Sequence, residues 1–368
     1  MPAQILHTLF GEAVIGETYT RLMPIDPGFS LLSKVLEQIR GKNRAVFALG
    51  CQGPDIFYHS QMTKPAALEY GALLHRRGFG DFTAALLAEA LPKARCGEQE
   101  VSPLGIYALG FMTHAMLDRV CHPYIVYKST IPKSDTKRSA RFAQIFQKGT
   151  AHAFFERILD VLMLNFLTGE SVHSWDQNAL AQVCGNPPTG LTALLFQTLR
   201  TAFPERAGRD EKLFQRISNA LEDCAAFYYL TDPEITSLVK REAAFWDFPI
   251  AYLYPEQLPL HIDYLNLGHQ QWFYPGPPEA EYTDSFLEIY HTALQTGGDT
   301  YAYVLLPYFE TGAFLLETAA QGLGNQGLSI QDETGKPCSP VRTDPLPLDE
   351  ILLQQRTLRD FYSADPTL

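Results

Sequence analysis

Three polar residues recur at a spacing of four in an otherwise apolar segment. They are His114, Asp118 and His122 in the sequence HAMLDRVCHP of residues 114–123. Side chains four apart lie on one face of an α-helix, so these residues form a single polar stripe. A buried polar stripe needs partners, and neutral imidazole and carboxylate are common zinc ligands. The pattern predicts a zinc site, with a hydrogen-bonded polar network as the alternative.

Two further patterns add candidate ligands on either side of this stripe. His152 and Glu156 are again four apart within a helical pattern. In the sequence GPDIFYH of residues 53–59, the Gly-Pro pair places Asp55 at the start of a new segment, which suits a site carboxylate. His59, at the end of this motif, is expected to be a surface or capping histidine rather than a ligand.

Two isolated histidines complete the set of candidates. His7 lies close to the N-terminus, and His75 is the only polar residue of an apolar helical run before Arg76. His75 equally suits a hydrogen-bonded core histidine. The remaining histidines receive no role: His173, His261, His269 and His291.

Other metalloprotein signatures do not fit this sequence. There is no HExxH motif, which excludes a zincin, and no His-Asp dipeptide, which argues against an HD-type phosphohydrolase. A di-iron carboxylate bundle requires two Glu-x-x-His elements. Glu170 and His173 have that spacing, but they lie at a predicted helix end, so this interpretation fits poorly.

Helical periodicity dominates the sequence, with apolar residues three and four apart. No set of alternating β-branched runs predicts a sheet, so we expect an all-α fold. Ser102 and Pro103 predict a helix start, and Pro123 predicts a helix end or kink at His122. The predicted helices are 29–40, 66–77, 80–93, 103–121, 138–167, 189–203, 211–229, 235–247, 283–295, 300–319 and 348–362.

The amino-acid composition of the sequence changes near residue 250. Residues 249–282 are rich in Pro, Tyr and Gly, which predicts a long ordered loop, and a second loop or linker follows residue 319. We therefore divide the chain into a helical catalytic core, residues 1–250, and a helical C-terminal extension, residues 251–368, that packs on the core. Tyr and Trp side chains in 252–274 are expected to pack the extension onto the core, with pocket lining as the alternative.

The composition and charge of the chain argue against several classes of function. The net charge of −12 argues against general nucleic-acid binding, which requires a basic surface. No segment is apolar enough to cross a membrane, and no secretory signal is visible, so we expect a cytoplasmic protein. The six cysteines form no CxxC pair, which indicates reduced thiols. The basic segment 128–148 is expected to be a solvated face, with a phosphate-binding strip as the alternative.

Taken in order, the motifs resemble those of the zinc-dependent phospholipase C family and the related fungal single-strand nucleases. Bacterial members of the family carry GPDIFYH and HxxxDxxxHPY nearly as they stand here. The similarity is clearest over residues 1–160. It implies an all-α, multi-helix phospholipase C/nuclease-like core that binds two or three zinc ions, followed in this chain by the helical C-terminal extension.

The resemblance also implies a role for each candidate. Asp118 would bridge or share metals, and one site would be completed by His114, His75 and Asp55. A second site would be held by His122, His152 and Glu156. His7 and the N-terminal amine would hold a third ion, and the amine would belong to Pro2 after removal of Met1. Asp55 would also act catalytically, by orienting the attacking water or accepting its proton.

The function implied is that of a zinc-dependent phosphoric diester hydrolase, phospholipase C-like, using a metal-activated water. Its partner would be a phosphoester substrate, of which a phospholipid headgroup is one candidate. Two alternatives remain open. The same metal site could serve a nuclease or a phosphomonoesterase, or the protein could be a non-catalytic helical protein that metal stabilises.

Overall fold

The chain is described by a computed structural model over residues 4–22, 30–59, 62–91, 101–131, 140, 145–146, 150–234, 250–311 and 314–355. Its α-helices are α1 (Gln4–Leu22), α2 (Ser30–Arg40), α3 (Arg44–Cys51), α4 (Leu68–Arg76), α5 (Phe79–Ala90), α6 (Pro103–Ser129), α7 (Thr150–Thr168), α8 (Gln177–Gly185), α9 (Leu191–Ala202), α10 (Pro204–Ala207), α11 (Leu213–Leu230), α12 (Phe286–Thr311) and α13 (Leu316–Leu323). Residues 348–355 are also helical.

The remaining regular structure is short. Among the described residues, 3₁₀ turns span Gly53–Phe57, Val172–Ser174 and Ile250–Tyr252. Strands β1 (Trp272–Phe273) and β2 (Glu281–Tyr282) pair antiparallel, with Trp272 opposite Tyr282. The prediction of an all-α fold is confirmed, since this two-residue ladder is the only sheet among the described residues.

Helix α6 is the centre of the molecule. Ser102 caps it by accepting a hydrogen bond from the Gly105 N–H at 3.1 Å, with Pro103 in the first turn, as predicted. The predicted helix end at His122 is wrong, because α6 continues to Ser129, and the alternative of a kink at His122 stays a prediction. Proline removes one backbone donor, but nearly every side chain from Cys121 to Ser129 is buried, and this packing outweighs the local penalty.

Two glycines allow α3 to lie directly against α6. A Cβ atom at Gly50 would be 2.2 Å from the Tyr107 carbonyl oxygen, and one at Gly110 would be 2.6 Å from the Phe47 carbonyl oxygen. Neither position can hold a side chain without separating the helices. The contact places the C-terminal end of α3 and the following turn next to the middle of α6.

The region after residue 250 packs against the same hydrophobic core. Helices 283–295 and 300–319 were predicted as separate, but residues 286–311 form one helix, α12, which contacts α1 and α6, and α13 begins only at Leu316. Gly297, in the middle of α12, lies against Phe10 and Val14 of α1, and a Cβ atom there would be 3.2 Å from each of these side chains. Trp272 contacts Tyr124 and Tyr127 of α6, as expected for aromatic residues that pack this region on the core.

Some predictions fall outside the described residues. They include helix 235–247, the first part of helix 138–167, most of the basic segment 128–148 and the end of helix 348–362. The division into a core, 1–250, and an extension, 251–368, stays a prediction. None of the described helices has the length and apolar character needed to span a membrane.

Candidate metal centre

The structure brings eight of the predicted site residues together around one face of α6. Pro2 lies outside the described residues. Nitrogen and oxygen atoms of these residues form three groups in which every ligand atom lies within 4.8 Å of the others. The groups are His7, His114 and Asp118; Asp55, His75 and His114; and His122, His152 and Glu156.

His114 is fully buried at the inner end of the stripe. Its Nδ1 atom lies 3.1 Å from the Cys51 carbonyl oxygen, which can only accept, so Nδ1 carries the proton. The imidazole lies directly over Gly53, whose φ of +54° suits glycine and whose Cβ, if present, would be 2.4 Å from His114 Cγ. The ring of His7 stacks on that of His114, with ring centroids 4.2 Å apart. Nε2 is thereby left to face the ligand groups.

Asp118 lies between two of the groups, with one carboxylate oxygen towards each. Its Oδ1 atom is 3.2 Å from His7 Nε2. Its Oδ2 atom is 3.1 Å from His114 Nε2 and 3.9 Å from His75 Nε2. A carboxylate in this position can contribute one oxygen to each of two ions.

Asp55 and His75 come from the 3₁₀ turn Gly53–Phe57 and from α4. His75 Nε2 lies 3.1 Å from Asp55 Oδ1, while His75 Nδ1 lies 2.8 Å from the Gly71 carbonyl oxygen and therefore donates to it. Asp55 Oδ2 is 3.4 Å from His114 Nε2. Burial raises the pKa of Asp55, but the nearby His114 and His75 outweigh burial and lower it to about 2. Asp55 is thus held as a carboxylate.

The outer group lies where α6 and α7 face each other. His152 Nε2 is 3.2 Å and His122 Nε2 is 3.6 Å from Glu156 Oε1. His122 Nδ1 donates to the Leu328 carbonyl oxygen at 2.9 Å, and His152 Nδ1 lies 3.2 Å from Ser129 Oγ. The side chain of His152 is 24% exposed, whereas that of His114 is not exposed at all, so this group is the accessible one.

The chemistry of the donor set fits metal ions. His114 Nε2 and Asp118 Oδ2 are buried and have no hydrogen-bond partner of acceptable geometry among the described residues, although they lie 3.1 Å apart. The two atoms therefore point towards a common space rather than at each other. His75, His114 and His122 each donate through Nδ1 to a backbone carbonyl, which leaves Nε2 with a free lone pair. This tautomer is the one required for binding zinc through Nε2.

Electrostatics at the outer group also favour a cation. Burial raises the pKa of Glu156, but His152 and His122 outweigh it and hold the pKa well below its usual range. Burial lowers the pKa of His122, yet Asp118 and Glu156 together raise it to about 9. Carboxylates that stabilise a positive charge on this imidazole would stabilise a metal cation in the same space.

The groups open into a cleft of about 650 Å³. Asp55, Asp118, His122 and Glu156 line its floor. One wall comes from a segment that follows α13, residues 324–346, which we call the strap. The strap lines the cleft with Ser329, Ile330, Pro337, Cys338 and Pro340.

The rim of the cleft carries two features that bear on ligand binding. Tyr252, within the predicted loop, lines the cleft, so the pocket alternative applies to this residue. Arg76 lines it too, and among the described lining residues it is the one arginine or lysine. The cleft therefore has one permanent side-chain cation near the ligand groups.

Some features of the site did not follow from the sequence. Leu328, Arg76 and the strap carry no motif, and the strap was expected to be a loop or linker. The expectation that His59 is a surface or capping residue is wrong. His59 is 5% exposed and stacks on Phe227 at 4.1 Å, because the 3₁₀ turn directs it into the core. Four histidines lie exposed and outside the three groups, as their lack of pattern suggested: His173, His261, His269 and His291.

Comparison with known families identifies the ligand-bearing segment. Residues 27–189 match the family model described as zinc dependent phospholipase C. The resemblance to this family is confirmed over that segment, which contains every described candidate ligand except His7. No curated protein and no solved structure gives a match. The family match and the three donor groups together support zinc as the cofactor, in two or three ions.

Proposed function

We propose that the protein is a zinc-dependent phosphoric diester hydrolase of phospholipase C type. The observation that carries this proposal is the convergence of three donor groups around one face of α6, at the floor of a cleft of about 650 Å³. The same segment matches a zinc-dependent phospholipase C family. A purely structural metal site would have no need of an open cleft above its ligands.

The proposed ligands follow from the distances between their donor atoms. His75 and Asp55 would hold one ion together with His114, and His122, His152 and Glu156 would hold another. His7 would contribute to a third position on the far side of Asp118, whose two oxygens face the first and third positions. Pro2 and its amine would complete this third position.

The proposed chemistry assigns distinct roles to the side chains. Zinc bound here would lower the pKa of a bound water and neutralise charge on phosphoryl oxygens. Asp55 is held as a carboxylate by its two histidine neighbours, so it can orient a water or accept its proton. Arg76, at the cleft wall, would bind a non-bridging oxygen of the substrate phosphate.

The proposed substrate is a phosphodiester, with a phospholipid headgroup as the first candidate. Val126, Ala153 and the strap residues Ile330, Pro337 and Pro340 make much of the cleft wall apolar. A wall of this kind suits the uncharged portion of a lipid next to its phosphate. The proposed location is the cytoplasm.

Substitution of Asp118 by Asn tests the proposal. We expect the variant to lose bound zinc, because Asp118 faces two groups, and to lose at least about 10²-fold in phosphodiesterase activity. Zinc per chain would be measured by mass spectrometry, and activity on a panel of phospholipids, single-stranded nucleic acid and phosphomonoesters. Asp223→Asn, a buried carboxylate that accepts from the Met62 and Thr63 amides, is the matched control.

The outcomes separate the possible functions. Full zinc content and full activity in Asp118→Asn would overturn the proposal. Hydrolysis of nucleic acid or monoesters in preference to phospholipids would replace the substrate but keep the metal centre. Zinc binding by the unaltered protein without hydrolysis of any substrate would indicate a metal-stabilised, non-catalytic protein.

A further inference from the structure

We propose that Arg119 is a positioning residue for the metal centre: it fixes the strap, and through the strap's Leu328 carbonyl it holds His122 in its ligand orientation. This inference rests on the proposed function only in treating His122 as a zinc ligand. The residues involved span two distant parts of the chain, since Arg119 lies in the segment that matches the family model and the strap lies outside it.

Arg119 follows Asp118 on α6, but its side chain points away from the ligand groups towards the start of the strap. Its guanidinium donates to the carbonyl oxygens of Gly324 at 3.0 Å, Gln326 at 3.2 Å and Gly327 at 3.4 Å, and also to that of Leu323. One side chain thus donates hydrogen bonds to four carbonyl oxygens of a single turn. Guanidinium has five N–H donors in a rigid plane, which suits this task better than an ammonium group.

The residue that follows this turn contacts two of the proposed ligand segments. The Leu328 N–H donates to the His75 carbonyl oxygen at 2.9 Å. The Leu328 carbonyl accepts from His122 Nδ1, also at 2.9 Å, and the Leu328 side chain is fully buried. Leu328 therefore joins the helix that carries His75 to the helix that carries His122, through backbone groups alone.

The far end of the strap is fixed independently of Arg119. The Asp344 and Leu346 N–H groups donate to the carbonyl oxygens of Tyr127 and Lys128 at the end of α6, at 3.0 and 2.9 Å. Loss of Arg119 should therefore loosen the strap near Leu328 without releasing it from the molecule. The effect should fall on His122 rather than on the whole fold.

The orientation of His122 determines how well it can bind zinc. Donation from Nδ1 to Leu328 fixes both the tautomer and the plane of the ring, which directs Nε2 towards Glu156. Loss of such a hydrogen-bond partner typically weakens metal binding by about 10- to 100-fold. We expect Arg119→Gln to weaken one zinc site by this factor and leave the others unchanged.

The experiment compares Arg119→Gln with Arg21→Gln. Arg21 also ties the region after residue 250 to an N-terminal helix, through Asp299 and the Gln295 carbonyl, but far from the cleft. Both variants and the unaltered full-length chain would be loaded with zinc and dialysed against increasing chelator. Zinc per chain would be measured at each step, and backbone hydrogen exchange would be followed for residues 324–331.

The expected result is specific to one site. Arg119→Gln should release one zinc at about 10- to 100-fold lower chelator than the other two proteins, with faster exchange at Leu328. Arg119→Lys should be intermediate, and it carries the test if Arg119→Gln does not fold. Zinc release by either Arg119 variant at the same chelator concentration as Arg21→Gln would overturn the proposal, because a merely structural role predicts no site-specific loss.

A His122→Asn variant separates this inference from the proposed function. If His122→Asn retains all of its zinc, His122 is not a ligand and the proposed metal centre fails. If His122→Asn loses one zinc but the Arg119 variants lose none, the metal centre stands and only the positioning role fails.

Discussion

His114 and His122 lie two turns apart on α6, and the structure holds them in the same way with different parts of the chain. His114 Nδ1 donates to the carbonyl of Cys51, whereas His122 Nδ1 donates to that of Leu328. The inner histidine is sealed, while the outer one faces the cleft beside His152. The contrast indicates that the inner end serves to fix the metal cluster and the outer end to admit a ligand.

Replacing one histidine at each end of the site should give the largest difference in stability between the two ends. We expect His114→Asn to lower the free energy of unfolding of the zinc-free protein by about 3–5 kcal/mol, because Asp55 and Asp118 lose a buried partner. His152→Asn, at a partly exposed position, should lower it by about 1 kcal/mol or less. Urea unfolding measures both values, and equal losses would contradict the distinction.

A methyl group at Gly53 tests how tightly the inner end is sealed. Gly53→Ala meets both an unfavourable φ of +54° and the ring of His114, so we expect a loss of about 2–4 kcal/mol. Gly169→Ala is the matched control. Its φ of +74° is also positive, but nothing lies within 4 Å of the added Cβ, so only about 1–2 kcal/mol of backbone strain is expected.

Thermal unfolding of the two alanine variants would supply the comparison. A loss at Gly53 no greater than that at Gly169 would show that the ring of His114 can move aside, and that the inner end is less rigid than its burial indicates.

A substitution of Arg76 tests whether the open end of the site binds the substrate phosphate. We expect Arg76→Gln to lower kcat/KM for a phosphodiester by about tenfold, because one charge-assisted hydrogen bond to phosphate is lost. Arg77→Gln, the neighbouring arginine that does not line the cleft, should leave kcat/KM unchanged. Zinc content should be the same in both variants. Equal kinetics would remove Arg76 from the site.

The smallest expected effect is on the pH dependence of stability and comes from His59. This histidine is buried but differs from His114 and His122 in its surroundings. Neither ring nitrogen has a hydrogen-bond partner among the described residues, and burial lowers the pKa of His59 to about 3. Since the unfolded value is 6.5, its contribution to stability is complete above pH 6.5 and is lost as the pH falls from 6.5 towards 3. At pH 6.0 the loss is about 1 kcal/mol.

The variant His59→Phe should lack this pH dependence. Its stability relative to the unaltered protein, measured by urea unfolding, should therefore improve by about 1 kcal/mol between pH 8.0 and pH 6.0. A difference that does not change with pH would mean that His59 can take up a proton in the folded state.

The candidate ligands could be found from the sequence because they are side chains with a fixed spacing. His114, Asp118 and His122 share a helix face, and His152 and Glu156 share another, so local periodicity places each set correctly. How the two sets of ligands lie relative to each other could be learned only from the family resemblance or from the structure. Whether each of these residues binds zinc stays a prediction.

The partners of the ligands could not be found in this way. Every residue has a carbonyl, so nothing in the sequence distinguishes Leu328 or Cys51 as acceptors. Arg119 has no pattern that links it to a turn more than 200 positions later. His59 and Pro123 were misjudged because burial by distant segments outweighed their local preferences.

The same reasoning accounts for most of the fold. Longer helices such as α5, with 12 residues, and α11, with 18 residues, were predicted nearly to their ends. The short helix α3 was not, because its eight residues make only about two turns, too few for a helical period to stand out in the sequence. Helix α12 was divided at Gly297, where close contact with α1 compensates for the weak helical preference of glycine.

Because Gly50 and Gly110 have no side chains, helices α3 and α6 lie very close together, and the geometry of the metal centre depends on this short distance. Because α3 and α6 meet there, backbone against backbone, the carbonyl of Cys51 reaches the ring of His114. A search for functional positions that looks only for reactive groups would pass over both glycines. Any wider spacing between these two helices would rotate the inner imidazole away from its neighbours, so the geometry of the metal centre is determined in part by two residues that can never touch a metal.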